Sequence, residues 1–302
     1  MAKNAGNDFK EIGARLRAHR VGRELSPDDL ARRLGISRAA LYRAEKGEIA
    51  KIEMLTAISR ELDISLPTLL GAGMEYLPNA VGFFERMRQL EEDCTQIVGV
   101  FSPVSYLLTS PKYDEVLGTV LRESLPASLQ GGRVDQIDRL LEILNNRKAR
   151  FFAKRPLIAS IISAPDLERF LIDGFSGRND LPAETVLARR HVALAEVRRI
   201  ISMLERSEIG VQLGVAREPI PSTSFQVVRR PSGSMLAISP FRLGQQPNVH
   251  VGVGLVTGAP EAVSLHEEIA QDLWETSLKG GEAAEHVRSI TERFGIGSPA
   301  GR

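Results

Sequence analysis

The stretch SRAALYR, residues 37–43, has the residue types and spacing to meet a nucleic-acid duplex. Wound as a helix, it puts Ser37, Arg38, Ala39, Tyr42 and Arg43 outward and Leu41 and Ala44 on the opposite, apolar side. An arginine fork can donate two N–H groups to the major-groove edge of guanine, and a serine hydroxyl suits a phosphate oxygen. Arg38 and Arg43 are therefore the expected base contacts and Ser37 a phosphate contact. Arg32 and Lys46 flank them, with Arg33 and Lys51 completing a local basic run. Such charges bind the DNA backbone without reading its sequence.

These side chains need a helix fixed at a steep angle to a second one. SPDDLARRLGIS, residues 26–37, supplies it. Ser26 is an N-cap type, Pro27 suits the first helical position, and Asp28 and Asp29 follow where the helix dipole favours negative charge. Leu30, Ala31 and Leu34 give the buried side, Gly35 a left-handed stop, and Ser37 the next cap. Two short helices about a tight glycine turn read as a DNA-binding helix-turn-helix. A merely packed helical hairpin is the plainer alternative, and the small Ala31 argues against it.

The flanking pattern carries a resemblance. LRAHR at 16–20, LSPDDLARRLGISRAALYRAEKGE at 25–48 and IEMLTAISRELDISLPTLL at 52–70 together resemble the Xre/Cro–CI family of bacterial repressors. The resemblance implies a lambda-repressor-like, all-α five-helix domain over residues 8–70 that binds double-stranded operator DNA. It also implies a structural brace between Arg20, near the end of the first helix, and Glu45, which closes the reading helix. Pro27 departs from the polar residue common there in relatives, so one contact of the family is expected to be missing. Periodicity alone buries Phe9, Ile12 and Leu16 in the first helix and lines the fourth with Ile52, Leu55, Ile58 and Leu62.

The remaining residues outnumber this domain. A chain of 302 residues with 43% hydrophobic and 25% charged content fits two globular domains. The net charge of +1 divides as +3 over residues 1–71 (13 basic against 10 acidic) and −2 beyond (26 against 28). The lone Cys94 excludes an intramolecular disulfide, and with no apolar leader the cytoplasm is the expected compartment. No run is long and apolar enough for a membrane span. GAGMEYLPNA, 71–80, reads as a linker. Residues 81–295 read as an α/β domain with a mixed or antiparallel sheet packed by helices. Its first helix carries Phe83, Met87, Leu90 and Cys94 as an apolar stripe, a candidate dimer contact. Gly131-Gly132 opens a later helix. IGVQLGVA, TSFQVVRR, MLAISPF and VHVGVGLV read as strands, PSGS as a hairpin turn, the helix bearing Trp274 as another apolar face, and GIGSPAGR as a tail.

No enzyme is legible here. The five histidines lack metal spacing, there is no phosphate loop and no nucleophile elbow, and no cofactor is indicated. Gly252, Gly254 and Gly258 miss the dinucleotide spacing by one residue, and a turn in a glycine-bearing strand explains them. The expected function is thus a cytoplasmic, dimeric or higher-order DNA-binding transcriptional regulator, of the repressor type in its family resemblance. Its second domain would oligomerise or sense a small, acidic metabolite, through Arg242, Ser239, His250 and Arg230 at strand ends. The rival expectations are an autoregulator whose second domain is an enzyme, and one whose second domain is an adaptor for a protein partner.

Overall fold

A computed structural model of the chain describes residues 2–48, 51–126, 134–206, 208–294 and 296. Gly131-Gly132 and the tail, Ile296 apart, lie outside the described residues. Helix α1 (Ala2–Gly22) begins before the expected Asp8, and α2 (Pro27–Arg33), α3 (Arg38–Glu45), α4 (Ile52–Glu61) and α5 (Leu66–Leu70) follow. Ser26, Ser37 and Ser65 cap α2, α3 and α5, each accepting the backbone N–H three residues on. Ile12, Leu16, Leu30, Leu41, Ile58 and Leu69 close one core between these helices. Phe9 and Ile52, expected inside it, are exposed, because each lies one turn beyond the neighbours that would cover it.

The stretch read as a linker is in fact structural. Met74–Leu77 is strand β1, paired antiparallel with β7 (Gly254–Thr257), and Leu77 joins the second core. Periodicity over four residues could not reveal a partner that lies so far along the chain. Helix α6 (Ala80–Leu90) comes next, then β2 (Gln96–Phe101), α7 (Pro111–Glu123) and α8 (Val134–Lys154). They are followed by β3 (Leu157–Ser163), α9 (Ala164–Asp173), α10 (Ala183–Arg206) and β4 (Val211–Ala216). The hairpin β5 (Ser224–Arg229) and β6 (Met235–Ser239) turns at residues 230–234, and β7, α11 (Pro260–Thr276), β8 (Leu278–Lys279) and α12 (Gly280–Phe294) complete the described chain.

The eight strands form one mixed sheet in the order β1-β7-β6-β5-β2-β3-β4-β8, with β2, β3 and β4 parallel and the other pairs antiparallel. Parallel neighbours need helical crossovers, which α7–α8 and α9–α10 provide. Helices α6–α10 and α12 share the larger core on one face, where Ile97, Ile158, Ile162 and Val228 point. Helix α11 covers the other face, over Val100, Ile161, Phe225, Val227 and Leu236.

Three expectations are corrected here. Every residue of α6 is buried, with Phe83, Met87 and Leu90 at 0–2% exposure, so that stripe belongs to the core and is closed to a second copy. Cys94 lies past the end of α6, half-buried, and burial pushes its thiol up to about 11. VHVGVGLV is a strand only from Gly254. Asn248 takes the N–H groups of His250 and Val251 on its side-chain oxygen, a local turn that competes with the ladder.

Candidate functional site

The reading helix is held by local chemistry. Ser26 Oγ accepts the Asp29 N–H at 3.1 Å and its hydroxyl donates back to Asp29 Oδ2 at 2.5 Å, fixing the start of α2. After α2 the chain reverses through Gly35 at φ +65°, where an L side chain would be strained, and the Ile36 N–H returns to the Ala31 carbonyl at 3.0 Å. Leu30, Ala31, Leu41 and Ala44 are all 0–3% exposed, so the two helices meet through them.

With that side buried, Ser37, Arg38, Ala39, Tyr42 and Arg43 stand exposed together on α3, and Arg32 and Lys46 are exposed beside them. Ser37 Oγ accepts the Ala40 N–H, which leaves its own hydroxyl hydrogen to donate to a phosphate. The Lys46 ammonium sits 5.5 Å over the Tyr42 ring. Arg38 Nη1 rests 3.3 Å from Asp28 Oδ2, and Arg32 lies 3.1 Å from Asp29. Both pairs face solvent, where water screens their attraction, so they hold the arginines lightly.

Behind α3 stands a buried pair. Arg20 Nε donates to Glu45 Oε1 at 2.5 Å and Nη2 to Glu45 Oε2 at 3.2 Å, while Nη1 donates to the Leu25 carbonyl at 2.8 Å. Both side chains are below 10% exposure. Beside it, a Cβ on Gly13 would come within 2.6 Å of the Ala44 and Glu45 carbonyls, so only glycine lets α1 touch the end of α3. The angle of the reading helix is thereby fixed from α1.

The other side of α1 docks on the second domain, which sequence reasoning missed. Gly22 and Gly82 face each other where α1 crosses α6, and a Cβ on either would lie 3.0–3.2 Å from the other's Cα. Asn79 caps α6 through Oδ1 and donates Nδ2 to the Gly22 carbonyl at 2.6 Å. Alongside runs a buried ion cluster. Arg86 donates to both oxygens of Glu75 (2.9 and 3.1 Å) and to Glu11 at 3.0 Å. Arg15 reaches Glu75 at 2.6 Å, and Arg230 bridges Glu11 and Asp93. Burial alone would raise the Glu11 carboxyl, but Arg86 and Arg230 outweigh it and hold it near 2. His19 lies in the same seam. Burial lowers it to about 4, so it is neutral, and its Nε2 has no hydrogen-bond partner among the described residues. Arg230, expected to hold a ligand, therefore joins the domains instead.

The second domain contains a cavity of about 80 Å³ between α6, the residues after β2, and the ends of β5 and β6. Its walls include Phe83, Phe84, Phe101, Tyr106, Tyr113 and Phe241. Arg242 and Ser239 line it, as the strand-end reading expects. His250 is absent from its lining and its Nε2 lies 3.3 Å from Ser124 Oγ. Arg147 is on the wall but is locked to Glu91 by bonds of 2.6 and 2.9 Å. The three glycines of the GxGxxxG stretch are occupied by packing. Gly252 lies on Pro240, Gly254 on the Phe83 ring and Gly258 on Met235. Gln226 also lines the cavity, and the sequence did carry its signal, a polar residue on the apolar face of FQVV.

A family model described as helix-turn-helix matches residues 16–69. Those residues form an Xre/Cro–CI-type helix-turn-helix domain, the class that binds double-stranded DNA. The chain is accordingly a DNA-binding transcriptional regulator, with a second domain that no family assigns. No curated protein matches the chain. Among the described residues, no helix is long and apolar enough to cross a membrane.

Proposed function

We propose that this regulator binds its operator as a homodimer and that its second domain senses a small ligand, which it does not chemically transform. The observation that carries the reading is the fixed seam. Arg20–Glu45 ties α3 to α1, and Gly22–Gly82 with the Glu11–Glu75–Arg86 cluster ties α1 to α6, whose Phe83, Phe84 and Met87 line the cavity. A displacement of α6 by a ligand would thus be passed to α3 through two buried junctions.

In this reading Arg38 and Arg43 contact bases, Ser37 and Tyr42 lie against the backbone, Ala39 allows close approach, and Arg32 and Lys46 contact phosphates. One short helix reads only a few base pairs, each bidentate contact adding about 1–3 kcal/mol. Two copies on half-sites about 34 Å apart supply the rest. With the α6 stripe closed, the apolar residues left outside on α11 are Leu265 and Ile269, 53% and 42% exposed. The test is to select a binding sequence from random duplexes with the full chain and to measure mass by sedimentation with and without it. A symmetric site with one dimer bound supports the reading, and a monomer on a single half-site refutes it.

A further inference from the structure

Gln226 is an unexpected residue for the middle of this sheet. It lies on β5, inside the eight strands, and is only 7% exposed. Among the described residues its carboxamide has one contact, Nε2 to the Met87 sulfur at 3.7 Å. A thioether is a weak acceptor, and a carboxamide offers two donors and an acceptor oxygen. Leaving such a group unpaired in the interior is unfavourable, and leucine would fill a similar volume without that penalty.

The register explains what lies above it. Gln226 pairs across to Gly99 on β2 and Ala237 on β6; the Phe101 ring packs over Gly99, and Phe101 and the small Ala237 line the cavity beside the carboxamide. One step toward the strand ends, Ser224 pairs with Ser239 on the same face, and Arg242 follows at the mouth. Arg242 is exposed and, among the described residues, makes no ion pair and no side-chain hydrogen bond. The cavity is therefore lined by a carboxamide whose oxygen accepts no hydrogen bond among the described residues and by the guanidinium of Arg242, with aromatic side chains around them. Its volume of about 80 Å³ is several times the ~10–15 Å³ that admits one water and about half the ~150 Å³ that admits benzene.

We infer that the cavity binds a short-chain oxo or hydroxy acid, its carboxylate on Arg242 and its far oxygen on the Gln226 carboxamide. The inference rests on the sensing role proposed above and names the ligand class for it. The carboxylate takes the arginine fork in the bidentate manner that guanidinium favours. The carbon chain lies between Phe83, Phe84 and Phe241, and the far oxygen removes the deficit at Gln226.

The experiment is calorimetric titration of the full chain with three matched probes small enough for this volume: 3-hydroxypropanoate, propanoate and 1-propanol. Wild type is expected to bind 3-hydroxypropanoate at least tenfold more tightly than either of the others. Gln226→Leu should reduce 3-hydroxypropanoate to the level of propanoate, and Arg242→Ala should reduce it to the level of 1-propanol. Thermal melting checks that each variant is folded, and Arg242 is exposed enough to be replaced without touching the core. Equal binding of 3-hydroxypropanoate and propanoate to wild type, no binding of 3-hydroxypropanoate, or variants that bind it as wild type does would each overturn the assignment. Operator affinity measured with each probe separates the two proposals. Binding of 3-hydroxypropanoate with this pattern and unchanged operator affinity refutes sensing and supports the ligand class. An equal operator response to propanoate refutes the class and leaves sensing intact.

Discussion

Replacing Arg86 with methionine tests the seam between the domains. The substitution keeps most of the aliphatic length and removes a guanidinium that is 1% exposed and bonded to Glu75 and Glu11. Glu75, 2% exposed, is left with Arg15 alone, and Glu11 with Arg230 and, at 3.9 Å, Arg15. Removing one partner of a buried ion pair costs about 3–5 kcal/mol, because the other charge stays desolvated. With a urea dependence of about 3 kcal/mol/M, the unfolding midpoint should fall by about 1–1.7 M. Circular dichroism follows all the helices, while the fluorescence of Trp274, the chain's one tryptophan, follows the second domain. The seam joins both cores, so both signals should shift. A loss below about 1 kcal/mol would mean that these charges are effectively solvated, and the proposed relay from α6 to α3 would lose its physical basis.

The same seam sets an acid limit. Glu11 is held near 2 against an ordinary 4.5, so it contributes about 3 kcal/mol above pH 4.5, lost as pH falls from 4.5 toward 2. His19 is lowered to about 4 from 6.5, so its contribution is also complete at neutral pH and is lost as pH falls from 6.5 toward 4. His19→Leu should flatten the stability profile between pH 6.5 and 4, and an unchanged slope there in urea titrations would contradict the assignment. Asp28→Asn should tighten DNA binding about threefold at low salt, because it removes a carboxylate from beside the phosphates and releases Arg38; weaker binding in a mobility-shift assay would count against that placement. Cys94, pushed up to about 11, should react with a thiol reagent at pH 8 far more slowly than a free cysteine, and a matching rate would show that it is not buried as described.

What could be read from the sequence was local. Ser26, Gly35, Ser37 and Ser65 act within four residues of themselves, and the phase of Leu41 and Ala44 settles which side of α3 faces out. The second domain gave up its strands and helices by period, including the PSGS hairpin, because each is a continuous segment. What could not be read was pairing at a distance. β1 is completed by a strand about 180 residues later, and Arg230 meets Glu11 across 219 positions. A fully buried helix such as α6 shows the same stripe as an amphipathic one, so Phe83, Met87 and Leu90 suggested a surface that does not exist. The strand-end reading located Arg242 and Ser239 at a cavity but drew in His250 and Arg230. A polar residue within FQVV was visible in the sequence, but only the register shows that Gln226 lies on the cavity side with Ser224 and Ser239.

The central claim is that α3 reads DNA through Arg38 and Arg43. Its most direct test is the affinity of Arg38→Ala/Arg43→Ala for a duplex selected with wild type, measured against a scrambled duplex over a range of salt. Two lost bidentate contacts per helix, at about 1–3 kcal/mol each, should remove at least a hundredfold of the preference for the selected site while weak, salt-dependent binding to any duplex persists. A double variant that still discriminates between the two duplexes as wild type does would contradict the account.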